Sequence, residues 1–141
     1  MSGAGVALHG EISIRQAHQP ELASIEAFYR ASGYGGGVLP ADRVFVAVDG
    51  SGLLAAVRLV REFRTTVLRG MRVAAAAQRR GVGTLVLGAV ASALADEECF
   101  CLPYRHLIAF YGQVGFAAIE PSAAPEFLAA RLQNHLARRA G

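Results

Sequence analysis

Gln78-Arg79-Arg80-Gly81-Val82-Gly83-Thr84 is the stretch on which the reading of this chain turns. It falls between residues 65–73, which read as a strand, and an apolar run over residues 82–95 that reads as a helix. Glycines at 81 and 83 allow backbone conformations and close approaches that other residues resist. The first N–H groups of a helix lack intrahelical acceptors and sit at the positive end of its dipole, so here they would point at an anion. Arg79 and Arg80 add charge at the rim. Residues 78–84 are therefore a candidate phosphate cradle, and the plain alternative is a tight strand-to-helix turn. A dinucleotide-binding fingerprint is a poor fit, because its third glycine would fall at Val86.

Upstream of the cradle the chain reads as strand, helix and then three strands. Residues 11–16 alternate apolar and polar, Pro20 opens a helix with the stripe Leu22, Ile25, Ala27, Phe28 and Tyr29, and Gly33 to Gly37 end it in a loop. Strands follow at 43–48, 53–63 and 65–73, the first two joined by the hairpin signal Asp49-Gly50-Ser51-Gly52. Downstream, the helix over 82–95 is apolar all round, which predicts burial. A fifth strand at 98–102 stops at Pro103, a short helix spans 105–113, and residues 116–119 form one more short strand. Phe127, Leu128, Leu132 and Leu136 keep helical spacing, so residues 126–139 are predicted to close the chain as an amphipathic helix, with Arg138 and Arg139 at its negative end. The fold class is α/β: a mixed sheet with antiparallel N-terminal strands, a parallel fourth and fifth strand, and a C-terminal helix. One domain over 1–141 is expected, with residues 1–10 as a loose terminus.

Composition narrows the chemistry. The 141 residues are 53% hydrophobic and 18% charged, which excludes intrinsic disorder. No stretch reaches the ~20 apolar residues of a membrane helix, and no charged-then-apolar leader is evident, so a cytoplasmic protein is expected. All 14 basic residues are arginine. Without lysine there is no P-loop and no pyridoxal Schiff base. A net charge of +3 favours an anionic ligand but is too small to argue for nucleic acid. Cys99 and Cys101 are expected in the core and no metal site is expected, since the two thiols and His106 fall short of a structural zinc set. His9, His18, His106 and His135 are scattered, and Glu97 and Glu98 read as a solvated helix end.

A second stretch, Leu107 to Phe116, contains Phe110, Tyr111, Gly115 and Phe116. Leu107, Phe110, Tyr111 and Val114 follow helix spacing and read as core; Tyr111 is also a candidate proton donor, since a phenol with a pKa near ~10 is protonated at neutral pH. Taken with the cradle, it completes a resemblance to the GCN5-related N-acetyltransferase (GNAT) family. Gln78, Gly81 and Gly83 match that family's Gln/Arg-x-x-Gly-x-Gly/Ala signature, and Phe110, Tyr111, Gly115 and Phe116 match its Phe-Tyr-x-x-x-Gly-Phe pattern. The order of elements over residues 11–119 is similar as well.

The resemblance implies transfer of an acetyl group from acetyl-CoA directly to the amine of a small acceptor. By this likeness Met71, Arg72 and Val73 would bond the pantetheine arm through their backbones, residues 79–84 would hold the pyrophosphate, Gln78 would brace the loop, and Tyr111 would protonate the departing sulfur. The chain departs from the family in three places. The proline often found before the signature is replaced by Ala74 to Ala77, the fourth strand has no carboxylate to serve as base, and the usual last pair of strands looks cut to one. Glu62, Glu26 or a water chain are the candidate bases. Arg30, Arg69, Arg72 and Tyr34 are candidate acceptor residues and would suit an amine that also carries an acidic group, the alternative being that these arginines bind CoA phosphates or face solvent. Monomer and homodimer both remain open. The competing reading is a non-catalytic acyl-CoA sensor or partner-binding module on the same fold.

Overall fold

The computed structural model describes residues 11–130 and 135–139. The loose terminus expected over 1–10 lies outside them, as does His9. Among the described residues seven strands form one sheet in the order β1-β2-β3-β4-β5-β7-β6. The strands are β1 (Ser13–Gln16), β2 (Arg43–Asp49), β3 (Gly52–Glu62), β4 (Thr65–Val73), β5 (Cys99–Cys101), β6 (Phe116–Ile119) and β7 (Leu136–Arg139). The helices are α1 (Leu22–Ala31), α2 (Val82–Leu94), α3 (Ile108–Gly112) and α4 (Glu126–Ala129). As the hairpin signal predicts, β2 and β3 are antiparallel, and Asp49 Oδ1 closes the turn by accepting from Ser51 N at 2.8 Å and Ser51 Oγ at 2.6 Å. Strands β3 and β4 are also antiparallel, and β4 and β5 are parallel with α2 crossing between them.

The period of two along β2 sends its side chains into two cores. Phe45 and Ala47 join the cluster under α2, whereas Val44 and Val46 pack against Ile25 and Tyr29 of α1. Both faces of the sheet are thereby covered. Cys99 and Cys101 are buried free thiols in the α2 core, as their residue type predicts.

Four expectations fail. Helix α2 is not buried all round: Val82, Val86, Leu87, Val90 and Leu94 face the core, while Thr84, Leu85, Ser92 and Ala93 face solvent. Much of its apolar composition is alanine and glycine, which have little surface to hide. The predicted helix over 126–139 is also wrong. Only Glu126–Ala129 is α-helical, residues 131–134 lie outside the described residues, and Leu136–Arg139 is a strand. That strand fills the slot between β5 and β6, pairing Cys101 with Ala137 on one side and Ile119 with Leu136 on the other. The last pair of strands is therefore present and not cut to one. Arg139 does meet a helix C-terminus, but it is that of α2: it donates to Ala95 O at 2.8 Å and to Val114 O at 2.9 Å. Finally, Glu97 is no solvated end. It pairs with Arg43 at 3.1 Å and accepts a hydrogen bond from Thr66, which together hold its carboxyl below the usual range.

A bulge and a proline open the site. Opposite β3, the register of β4 shifts between Arg69 and Arg72, and Gly70 there takes a φ of +68°. Only Val67 and Leu68 of β4 pair with β5, through Phe100 and Cys101, and Pro103 follows two residues on. Beyond Leu68 the β5-facing edge of β4 has no strand partner among the described residues, so the two strands part and leave a gap.

Candidate active site

The loop after β4 is shaped by its backbone. Ala75–Ala77 form a single 3₁₀ turn where the family's proline would stand, with Ala77 buried. Gln78 Nε2 then donates to Val73 O at 3.3 Å, tying the loop back to the end of β4. Arg79 has a φ of +67°, and Gly81, the N-cap of α2, has a φ of +77°. No side chain caps this helix end. Its first bond runs from Leu85 N to Gly81 O at 3.1 Å, so the N–H groups of Val82, Gly83 and Thr84 have no intrahelical acceptor. A Cβ on Gly81 would meet nothing within 4 Å, so conformation requires that glycine, whereas one on Gly83 would sit 3.4 Å from Phe110 and 3.5 Å from Met71.

These groups line a cleft of about 400 Å³. The structure brings Met71, Val73, Gln78, Arg79, Gly81, Val82, Gly83, Thr84 and Tyr111 into its wall. Arg72 and Arg80 are not there. Arg80 is exposed, and the Arg72 side chain borders a second chamber of about 210 Å³. Leu107 and Phe110 join the cleft, although their spacing suggests core alone.

Tyr111 stands where the two spaces meet, since Met71, Leu107 and Tyr111 line both. Its ring is wedged edge-on between Phe110 and Phe116, with centroids 5.1 and 5.9 Å away. At 6% exposure the phenol's pKa is raised above its ordinary value, mainly by burial, with the nearby Arg72 charge opposing. The hydroxyl is thus held protonated.

The proposed acceptor residues fall in different places. Tyr34, Arg69 and Arg72 line the second chamber. Glu26 and Arg30 instead line a separate cavity beneath the Gly35 to Gly37 loop, with Tyr34 shared between them. Glu62 accepts a hydrogen bond from Arg69 Nε and lines none of these spaces. Among the described residues no carboxylate lines the second chamber.

Sequence reasoning missed the residues that hold Tyr34. Arg58 Nε meets Asp42 Oδ2 at 3.0 Å with both side chains buried, 6% and 2% exposed, and Arg58 Nη1 donates to the Tyr34 hydroxyl. A lone arginine within the apolar run from Leu53 to Val60 was the available signal, because a buried charge needs a partner.

The fold recurs in solved structures. A GNAT-family acetyltransferase of Staphylococcus aureus Mu50 superposes with a TM-score of 0.68 at 15% identity, over 92% of this chain and 98% of that one. An acyl-CoA N-acyltransferase of Pseudomonas aeruginosa gives 0.69 at 19% identity, over 93% and 99%. The PaiA N-acetyltransferase of Thermoplasma acidophilum, solved with coenzyme A, gives 0.67 at 13% identity, over 93% and 99%. These likenesses define an acyl-CoA N-acyltransferase fold. The family follows from the sequence itself: the model of the acetyltransferase (GNAT) domain matches residues 40–118, more than half of the chain, and the protein belongs to the GNAT family. No curated protein matches it. Among the described residues no helix is long and apolar enough to cross a membrane.

Proposed function

We propose that the protein transfers the acetyl group of acetyl-CoA directly to the amine of a small acceptor. The observation that carries this is the meeting of cleft and chamber at Tyr111. Pyrophosphate would take the N–H groups of Val82, Gly83 and Thr84, with Arg79 and Arg80 supplying charge nearby. The pantetheine arm would lie along the open edge of β4 and bond the backbone of Met71, Arg72 and Val73, replacing the missing strand. That path delivers the thioester to Tyr111.

A neutral amine entering through the second chamber would attack the thioester carbonyl from within near-attack distance. The C–N bond forms, the tetrahedral adduct collapses, and the C–S bond breaks. Tyr111 gives its proton to the departing thiolate and recovers one, through solvent, from the acylated nitrogen. Among the described residues no carboxylate on the chamber wall takes the amine's proton, so in this reading the amine arrives neutral or loses its proton to water. Neither nucleic acid nor membrane enters this reading, and the protein would act as a monomer or homodimer.

The bare chamber wall also supports one rival, an acyl-CoA sensor without turnover. Thiol release from acetyl-CoA across a panel of amines, beside calorimetry with CoA, separates the two. Turnover of an amine supports transfer, and CoA binding without turnover of any amine supports the sensor.

A further inference from the structure

We propose that the acceptor is a small amine that also carries a carboxylate or phosphate, and that Arg72, seated on the Tyr34 ring, receives that anion. The thioester is placed beside Tyr111 as the acetyl-transfer reading, on which this inference rests, requires. The amine must then occupy the second chamber, and at about 210 Å³ this space suits a molecule smaller than a drug-sized ligand.

The chamber's charge is one-sided. Two arginines line it, and among the described residues no carboxylate does. Arg69 is committed to Glu62 through its Nε. Arg72 is different: its Nη1 donates to its neighbour's carbonyl, Met71 O, at 3.1 Å, and no described carboxylate pairs with it. A guanidinium with free donors at a chamber wall is a fork for an oxyanion.

The fork is also built in place. Arg72 Cζ lies 5.2 Å from the centroid of the Tyr34 ring, a cation–π contact that fixes its direction. Tyr34 in turn is held by Arg58, and Arg58 by Asp42, whose Oδ2 also accepts from Leu39 N at 2.9 Å. Two glycines make room for the ring: a Cβ on Gly36 would come within 2.5 Å of the Tyr34 hydroxyl oxygen, and one on Gly70 within 3.0 Å of its Cζ. Beneath the bulge, the Tyr29 hydroxyl is buried without a partner among the described residues, 3.2 Å from that same Gly70 Cβ position.

The charge serves the chemistry as well. Fixed positive charge disfavours an ammonium and favours the neutral amine that must attack, which compensates for the missing carboxylate base. A polycation would be repelled from the same wall. An acidic amine brings its own counter-charge to Arg72 and leaves its nitrogen free.

The test uses the intact protein and acetyl-CoA with β-alanine, glutamate and phosphoethanolamine as anionic acceptors. Propylamine and ethanolamine serve as neutral ones and spermidine as the polycation. Each is read by thiol release and by calorimetry on the CoA-saturated protein. At least one anionic amine is expected to bind at least tenfold more tightly than its neutral analogue, and the carboxylate and phosphate arms show which oxyanion fits. Arg72→Gln should collapse that preference, and Arg72→Lys should restore part of it, with unchanged thermal melting showing that each variant is folded. Preference for neutral amines or spermidine overturns the inference while leaving acetyl transfer intact. So does failure of every anionic amine to bind, or a preference that survives Arg72→Gln. Anionic amines that bind through Arg72, with no thiol release from any amine of the panel, uphold the anion site and overturn acetyl transfer instead.

Discussion

Replacing Gly81 tests whether the cradle works through its backbone. At φ +77° an L-residue is strained, and the left-handed conformation costs about 1–2 kcal/mol for an ordinary side chain. Since an added Cβ meets nothing within 4 Å, Gly81→Ala introduces this conformational cost without a clash in the free protein. The loop can relax toward negative φ only by turning the N–H groups of Val82 to Thr84 away from their common focus. If CoA binding must restore the focus, its free energy falls by the same amount, and a loss of ~1.4 kcal/mol is tenfold in Kd. Gly81→Val should lose more, because β-branched residues tolerate positive φ least. Gly83→Ala is the contrast, as Gly83 has no positive φ and its Cβ would make close to ordinary contacts with Phe110, Met71 and Val73. Calorimetric titration with CoA reads all three, and thermal melting confirms folding. A folded Gly81→Ala variant with wild-type Kd would refute the reasoning.

Two further outcomes follow from burial. Asp42→Ala strands the Arg58 guanidinium in the core, and breaking a buried pair in this way costs about 3–5 kcal/mol; a loss below ~1 kcal/mol in urea denaturation would show that the pair is not buried in solution. The Cys99 thiol is pushed from 9 up to about 12 by burial first and by the Glu97 charge second. The folded protein therefore keeps a proton that the unfolded chain loses above pH 9, so stability is intact below pH 9 and declines from there toward pH 12. Between pH 8 and 10.5 the denaturation midpoint of Cys99→Ala should fall less steeply than that of the wild type, and parallel curves would contradict this.

What the sequence made legible was local. Asp49-Gly50-Ser51-Gly52 closes its own turn through one carboxylate, and the cradle's glycines set backbone angles without help from distant residues. Leu136 to Arg139 are another matter. Their spacing from Leu128 and Leu132 fits a helix, and nothing in Leu-Ala-Arg-Arg favours a strand. They become one because β5 and β6 each present an open edge there, a tertiary demand that outweighs local pattern. The Phe63-Arg64 turn between β3 and β4 is similar, holding two non-glycine residues at positive φ because the hairpin twist requires it. The acceptor chamber was legible only in part. Arg72 and Tyr34 are suggestive as residue types, but the chain from Asp42 through Arg58 joins segments 16 and 24 residues apart and emerges only on folding.

Steady-state kinetics of Tyr111→Phe tests the central claim most directly. The variant keeps the ring wedged between Phe110 and Phe116 and removes only the hydroxyl at the junction of cleft and chamber. With whichever amine the wild type acetylates, kcat should fall ~100-fold or more while CoA affinity and melting temperature stay near wild type. An unchanged kcat would contradict the account and leave Tyr111 as a core residue.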